Sequence, residues 1–309
     1  MSVALALDLD AVSSVCRGWE GVNRPTRAPL PAAPWFDAMM HLGRRGHRYM
    51  TEAARLSLAA SRQIAAEDGP GIPGGTEAGL YLGTASADTA YRRQVMTGLC
   101  EDETQLPGAA SAPGASANGP AGLLARSYGV QGPVMTLTGG DDSGLIALWQ
   151  AASAMARAEV LACLVGQVEA GDTGQHDDGA VLWRLSAPGE RSGGTNPLAR
   201  IAFDGFARDP RDDETWFSDR FGVPRQDDEP QEPVKLIAHG SPQLAELVKT
   251  VNRARQHPIT FLSAQQHCDA LAPDMHLFSL LSLAILNGVT GRIIIRSRRG
   301  HVFNLNVAN

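Results

Sequence analysis

The stretch from Val134 to Glu159 constrains this chain most. Val134 to Thr138 is rich in β-favouring residues, Gly139 and Gly140 follow, and an Ala/Leu-rich helical pattern holds to about Arg157. The pattern predicts a strand, a sharp turn and a helix. Such a turn sets its residues at the mouth of a helix N-terminus, where unpaired backbone N–H groups and the helix dipole favour negative charge. The residues there are Asp141, Asp142 and Ser143. Either one of them is a helix N-cap, or the turn is an elbow of the nucleophile type occupied by a carboxylate.

The flanking segments carry a resemblance. Upstream lie Ala78 to Thr84, a buried-strand pattern reading Ala-Gly-Leu-Tyr-Leu-Gly-Thr, then Ser111 to Gly122 with Asn118 inside it, and the turn Gly132-Pro133. Downstream come the apolar run Val160 to Ala170 and the strand pattern Asp178 to Leu185. In this order they resemble the N-terminal half of a β-ketoacyl synthase of the thiolase superfamily. The second half repeats the likeness: Val234 to Ala238 ending in His239-Gly240, Pro258 to Ser263, an apolar helix at Leu277 to Leu286, and strands Gly291 to Arg296 and His301 to Val307 around Arg299-Gly300. The resemblance implies an α/β, thiolase-like layered αβαβα fold made of two related halves, truncated relative to a full ketosynthase. Residues 1–186 and 201–309 are the expected halves, and 187–200, rich in Gly and Ser, the linker.

The departures decide the functional expectation. The family elbow reads roughly Thr-Ala-Cys-Ser-Ser-Gly, and its cysteine is acylated; aligned on Ser143-Gly144-Leu145, that position is Asp141. A carboxylate is a poor nucleophile toward a thioester and would give a reactive anhydride, so ordinary acyl transfer is not expected. His239-Gly240 matches the start of the family's His-Gly-Thr-Gly-Thr loop, but Ser241-Pro242 replaces the rest. In the Ser-x-Lys-x-x-x-Gly-His segment Ser263 matches, while Gln265 stands at the lysine and Ala270 near the histidine. The final turn, Arg298 to Phe303, lacks the Gly-Phe-Gly-Gly pattern. Joint loss of these groups resembles the chain-length factors, cysteine-less subunits that pair with an active ketosynthase in type II polyketide synthases.

That resemblance implies a non-catalytic subunit with no residue of its own in catalysis, no metal and no cofactor. Its partners are a cysteine-bearing ketosynthase and, through the complex, an acyl carrier protein. The strand Val134, Met135, Thr136, Leu137 and Thr138 is the expected interface, and Leu106, Ser111, Ser116 and Asn118 are candidates for the tunnel wall, with residues 87–100 and 105–118 limiting acyl length.

Two alternatives stay open. Gly140-Asp141-Asp142-Ser143-Gly144 is also a G-x-D-x-G elbow, which would make Asp142 a hydrolytic nucleophile with His239 or His301 as base. Cysteine-less homologues that decarboxylate malonyl groups carry glutamine at the elbow, and Asp141 would repel such a carboxylate.

Charge and composition exclude other classes. A chain of 309 residues with 43% hydrophobic residues builds a large core, and a net charge of −6 argues against a nucleic-acid footprint. The basic cluster Arg296 to Arg299 reads as a solvated strand end, and the acidic run from Asp204 to Glu232, which lacks calcium-loop spacing, as a surface excursion. Glycines 74, 75 and 79 precede no Gly-Lys-Ser/Thr, which excludes a P-loop. Met1 to Asp8 has no basic start and reads as a first strand, and no apolar run reaches membrane-spanning length; the cytoplasm is expected. Cys16, Cys100, Cys163 and Cys268 show no C-x-x-C and are expected as buried, reduced thiols.

Overall fold

A computed structural model describes residues 5–16, 19–22, 26–27, 35–47, 49–66, 71–85, 88–101, 114, 116–140, 142–170, 179–189, 196–209, 211, 215–216, 233–238, 248–249, 252, 259–263, 276–297 and 299–308. Among these residues twelve strands form one mixed sheet. In chain order they are β1 (Leu5–Cys16), β2 (Trp19–Val22), β3 (Thr26–Arg27), β4 (Ala78–Thr84), β5 (Val134–Thr138), β6 (Ala162–Glu169), β7 (Gly179–Ser186), β8 (Ala199–Arg208), β9 (Val234–Ala238), β10 (Ile259–Ser263), β11 (Gly291–Arg296) and β12 (His301–Ala308). The described helices are α1 (Ala38–Leu42), α2 (Glu52–Ile64), α3 (Thr89–Glu101), α4 (Gly119–Tyr128), α5 (Ser143–Ala156) and α6 (His276–Leu286).

The main path runs β10-β9-β11-β12-β8-β1-β7-β6-β4-β5. Read outward from its middle, each half has the same order and the same directions. β4 is parallel to β5 and β6, and β7 is antiparallel to β6 and β1. Correspondingly, β9 is parallel to β10 and β11, and β12 is antiparallel to β11 and β8. The halves join where β1 and β8 pair antiparallel, Leu5 opposite Phe203. The fold is a duplicated α/β unit, and α5 and α6 are equivalent helices within it.

Periodicity explains the layers. β6 and β7 are buried on both faces and read as near-continuous apolar runs. One face of the sheet, with Leu9, Val165, Trp183, Ile201, Ile237 and Phe303, packs on α5 and α6 in a single cluster. There Trp183 lies 4.7 Å from Phe278 and donates its indole N–H to Ser282 Oγ at 2.8 Å, which satisfies the one polar atom the ring buries. Leu80, Leu82, Leu164 and Leu182 cluster with α2 and α4.

Several boundaries differ from the sequence expectations. The first strand runs to Cys16 rather than ending near Asp8, because β7 pairs with it as far as Cys16 and β2 takes its other edge from Ser13 to Cys16. α1 and α2 are separate helices, since Gly43 and Gly46 between them take φ values of 80° and 94° that a helix excludes. Residues 19–35 hold the short pair β2 and β3. Asp204 belongs to β8. Arg296 is no solvated strand end: it is buried, stacks on buried Trp216 with the guanidinium carbon 4.7 Å from the ring centre, and donates to the Arg211 carbonyl. Cys16 and Cys163 are buried thiols in no disulfide, burial pushing Cys163 up, but Cys100 is exposed, and Cys268 lies outside the described residues.

Helix α2 is capped from two places. Thr51 Oγ1 accepts from Ala54 N, and Asp88, on the loop after β4, accepts from Thr51 Oγ1 at 2.5 Å and Ala53 N at 3.1 Å. Burial raises the Asp88 carboxyl above its ordinary range, against the pull of these two bonds. A carboxyl whose folded-state value is raised favours folding at acid pH, and that contribution is lost as pH rises through the raised value. Asp88→Asn should therefore gain stability relative to the parent chain from about pH 3 to about pH 7, measured as the difference in urea midpoint; a difference flat with pH would contradict this.

Candidate functional site

The elbow forms as its sequence demands. β5 ends at Thr138, Gly140 takes φ 128°, and α5 begins at Ser143. Its underside is fixed by Gly83 on β4: a Cβ there would lie 2.2 Å from the Ser143 carbonyl carbon and 2.3 Å from Gly144 N. The start of α5 rests directly on the strand backbone.

Ser143 is consumed by this architecture. Its Oγ accepts from Gly140 N at 2.9 Å, and its single proton lies between the carbonyls of Gly140 at 2.8 Å and Thr84 at 3.2 Å. Asp142 occupies the N-cap position, yet its side chain makes no capping bond. The carboxylate is fully buried and turns instead to the C-terminal half, where Oδ2 meets His301 Nδ1 at 2.5 Å; Oδ1 has no hydrogen-bond partner among the described residues.

Three devices hold His301. It is the first residue of β12, and its N–H donates to Ser297 Oγ. Buried Ser297 also accepts from Arg299 N, so one hydroxyl organises the whole β11–β12 turn. The imidazole lies 5.6 Å from Phe206, which stacks on Phe303 and leans on Trp149 of α5. The turn also lays the Arg299 guanidinium on the elbow: a Cβ on Gly140 would meet Arg299 Nε at 3.1 Å and Cζ at 3.2 Å. At the adjacent strand ends buried Glu169 accepts from Ala85 N at 2.6 Å and from Thr84 Oγ1 and Gln167 Nε2.

The structure thus joins Asp142 and His301, 159 positions apart, but buries the carboxylate that the hydrolytic alternative required to attack substrate. Asp141, His239, Gln265 and Ala270 lie outside the described residues, as do Leu106 and Ser111. Arg299 and Ser297 were missed by the sequence reading, and nothing in their spacing marks them. Among the described residues no cluster of three or more metal-ligating side chains occurs, and no helix is long and apolar enough to cross a membrane.

Ser116 and Asn118 do line a cavity. It has a volume of about 750 Å³ and is bordered by Tyr49, Met50, Thr51, Leu123 and Arg126 among others. Asn118 Oδ1 accepts from Thr136 Oγ1 at 2.7 Å, which ties the cavity wall to β5. β5 itself is the sheet's last strand, paired with β4 alone among the described residues. All five of its residues are half-buried or exposed, Met135 by 42%.

A duplicated mixed sheet with a central helix pair and a glycine-turned elbow defines a thiolase-like ketosynthase fold. Residues 22–208 match the model of the β-ketoacyl synthase N-terminal domain, well over half of the sequence, and the chain belongs to that family. Among solved structures it is similar to the ishigamide ketosynthase/chain length factor, with 18% identity, TM-score 0.65, and 98% of this chain and 99% of that one covered. It is similar to a type II polyketide synthase acyl-carrier protein in complex with its ketosynthase bound to the hexaketide, at 16% identity, TM-score 0.71, and coverage of 98% and 99%. The ketosynthase from module 6 of the bacillaene synthase of Bacillus subtilis aligns at 12% identity and TM-score 0.68, over 98% of this chain and 72% of that one. Comparison with curated proteins finds no match.

Proposed function

We propose that this chain is a ketosynthase-like subunit that does not itself condense acyl groups. In this reading it pairs with a cysteine-bearing ketosynthase through β5 and shapes the partner's acyl tunnel, as a chain-length factor does in type II polyketide or fatty-acid-like biosynthesis. Residues 1–186 and 201–309 are its two halves, joined by 187–200; an acyl carrier protein reaches it through the complex, in the cytoplasm. The elbow supports the loss of condensation, because no cysteine occurs between Gly139 and Gly144.

The open edge of β5 carries the reading. Soluble proteins blunt an exposed edge with charges, proline or a bulge, since its free N–H and C=O groups recruit other strands. Val134-Met135-Thr136-Leu137-Thr138 has none of these, and it presents apolar side chains beside the 750 Å³ cavity. A strand from a partner subunit would satisfy the edge, cover Met135 and close the cavity into a tunnel.

Co-expression with ketosynthases encoded beside it, followed by native mass spectrometry, tests this. A one-to-one complex is expected, and Met135→Asp should weaken it about a hundredfold, because a charge must then be desolvated at the strand pairing. A monomer or homodimer that ignores those partners contradicts the reading. In an assembled complex Gly122→Leu should shorten the product, since a Cβ at Gly122 meets nothing within 4 Å and a larger side chain has room beside this cavity; unchanged length would remove the cavity from the tunnel.

A further inference from the structure

We propose that the elbow is a water-activating site that hydrolyses acyl thioesters, with His301 as general base, Asp142 as the positioning residue behind it and Arg299 as the cation facing the reacting carbonyl. The thioester substrate rests on the proposed role beside an acyl-bearing ketosynthase; the chemistry rests on the elbow and the β11–β12 turn that faces it.

Asp142 is fully buried, and among the described residues its carboxylate bonds to His301 Nδ1 alone. A ring that donates Nδ1–H to a carboxylate carries its lone pair on Nε2 when neutral, and is held in one tautomer and one orientation. No described residue takes Nε2, and the His301 side chain is 20% exposed, so this nitrogen is the one left to meet water. The guanidinium of Arg299 lies against Gly139 and Gly140, and its Nη1 would stand 3.5 Å from a Cβ on Gly139. No described residue pairs with its charge. Arg299 therefore places positive charge at the N-terminus of α5, a helix of 14 residues, where the dipole has the same sign.

The elbow supplies no protein nucleophile among the described residues. Ser143 is engaged by Gly140 and Thr84, and Asp142 is out of reach of any substrate. In this proposal water attacks, since a carboxylate such as Asp141 is a poor nucleophile toward a thioester. His301 Nε2 takes one proton from water as its oxygen bonds to the thioester carbonyl carbon, and the carbonyl π pair moves to oxygen as an alkoxide beside Arg299. The alkoxide re-forms the carbonyl, the C–S bond breaks with its electron pair on sulfur, and sulfur takes the proton from Nε2. The products are a carboxylic acid and a thiol, with the dyad restored. A condensing subunit's partner would thereby clear stalled acyl groups instead of extending them.

The experiment is thiol release from the acetyl and hexanoyl thioesters of N-acetylcysteamine by the purified chain. His301→Gln keeps an N–H donor for Asp142 while removing the base, and should slow release about a hundredfold or more. Arg299→Ala changes an exposed side chain and should lower kcat about tenfold or more with the fold intact. In 15N spectra of the chain, His301 should carry its proton on Nδ1, and Asp142→Asn should change that tautomer population. Release by the parent chain no faster than by His301→Gln, or a His301 proton found on Nε2, overturns the proposal. Native mass spectrometry on the same samples separates the two readings: a complex that forms and hydrolyses nothing defeats only the hydrolytic one.

Discussion

Gly83→Ala is expected to destabilise the protein by about 3 kcal/mol or more. The reason is contact with backbone, which a rotamer change cannot relieve. The added methyl would lie 2.2 Å from the Ser143 carbonyl carbon, 2.3 Å from Gly144 N and 2.5 Å from the Ser143 carbonyl oxygen. Either β4 or the first turn of α5 must move. β4 is held on both sides by β5 and β6 with every residue buried, so the helix start gives way, and with it the Ser143 bonds and the approach of Asp142 to His301. Urea denaturation measures the loss. Gly122→Ala is the matched control: it lies on an exposed position of α4 with open space around it, and should gain about 0.5–1 kcal/mol from helix propensity. Equal effects at the two glycines would show that the close approach at Gly83 does not exist.

His301→Ala is expected to cost about 3–5 kcal/mol, well above the value of an ordinary side-chain truncation at a 20% exposed site. The penalty is asymmetric. Removing the imidazole leaves Asp142 buried with Oδ2 as well as Oδ1 unpartnered, and a buried carboxylate without a partner bears its full desolvation cost. The double variant Asp142→Ala with His301→Ala removes both groups and should recover most of the loss. A denaturation cycle over the four chains checks it: a single variant no worse than the double would mean that the contact does not bind the two halves together.

Much of the architecture is legible in the amino-acid order. The β5-elbow-α5 unit, β4, the apolar helix at 277–286 and the terminal hairpin all announce themselves, because each has a clean period of two or 3.6 and glycine punctuation. The split of α1 from α2 was not legible, since it rests on the positive φ of Gly43 and Gly46, which the sequence does not state. The site was legible in one half only. An aspartate at an elbow is visible from its neighbours, but whether it caps the helix, attacks substrate or orients a base depends on what faces it.

The sequence by itself determined where the chain turns, which segments are buried and that a carboxylate pair stands where the family carries its nucleophile, because all of these are local: propensity, periodicity and spacing act within a few residues. Only the tertiary structure decided what faces Asp142. The β11–β12 turn brings His301 across 159 positions to Asp142 and lays Arg299 against Gly139 and Gly140, and the register β12 takes against β8 and β11 sets which side chains arrive. Register is fixed by burying the apolar faces of both halves on α5 and α6 at once, a condition on the whole sheet that no short stretch of sequence contains.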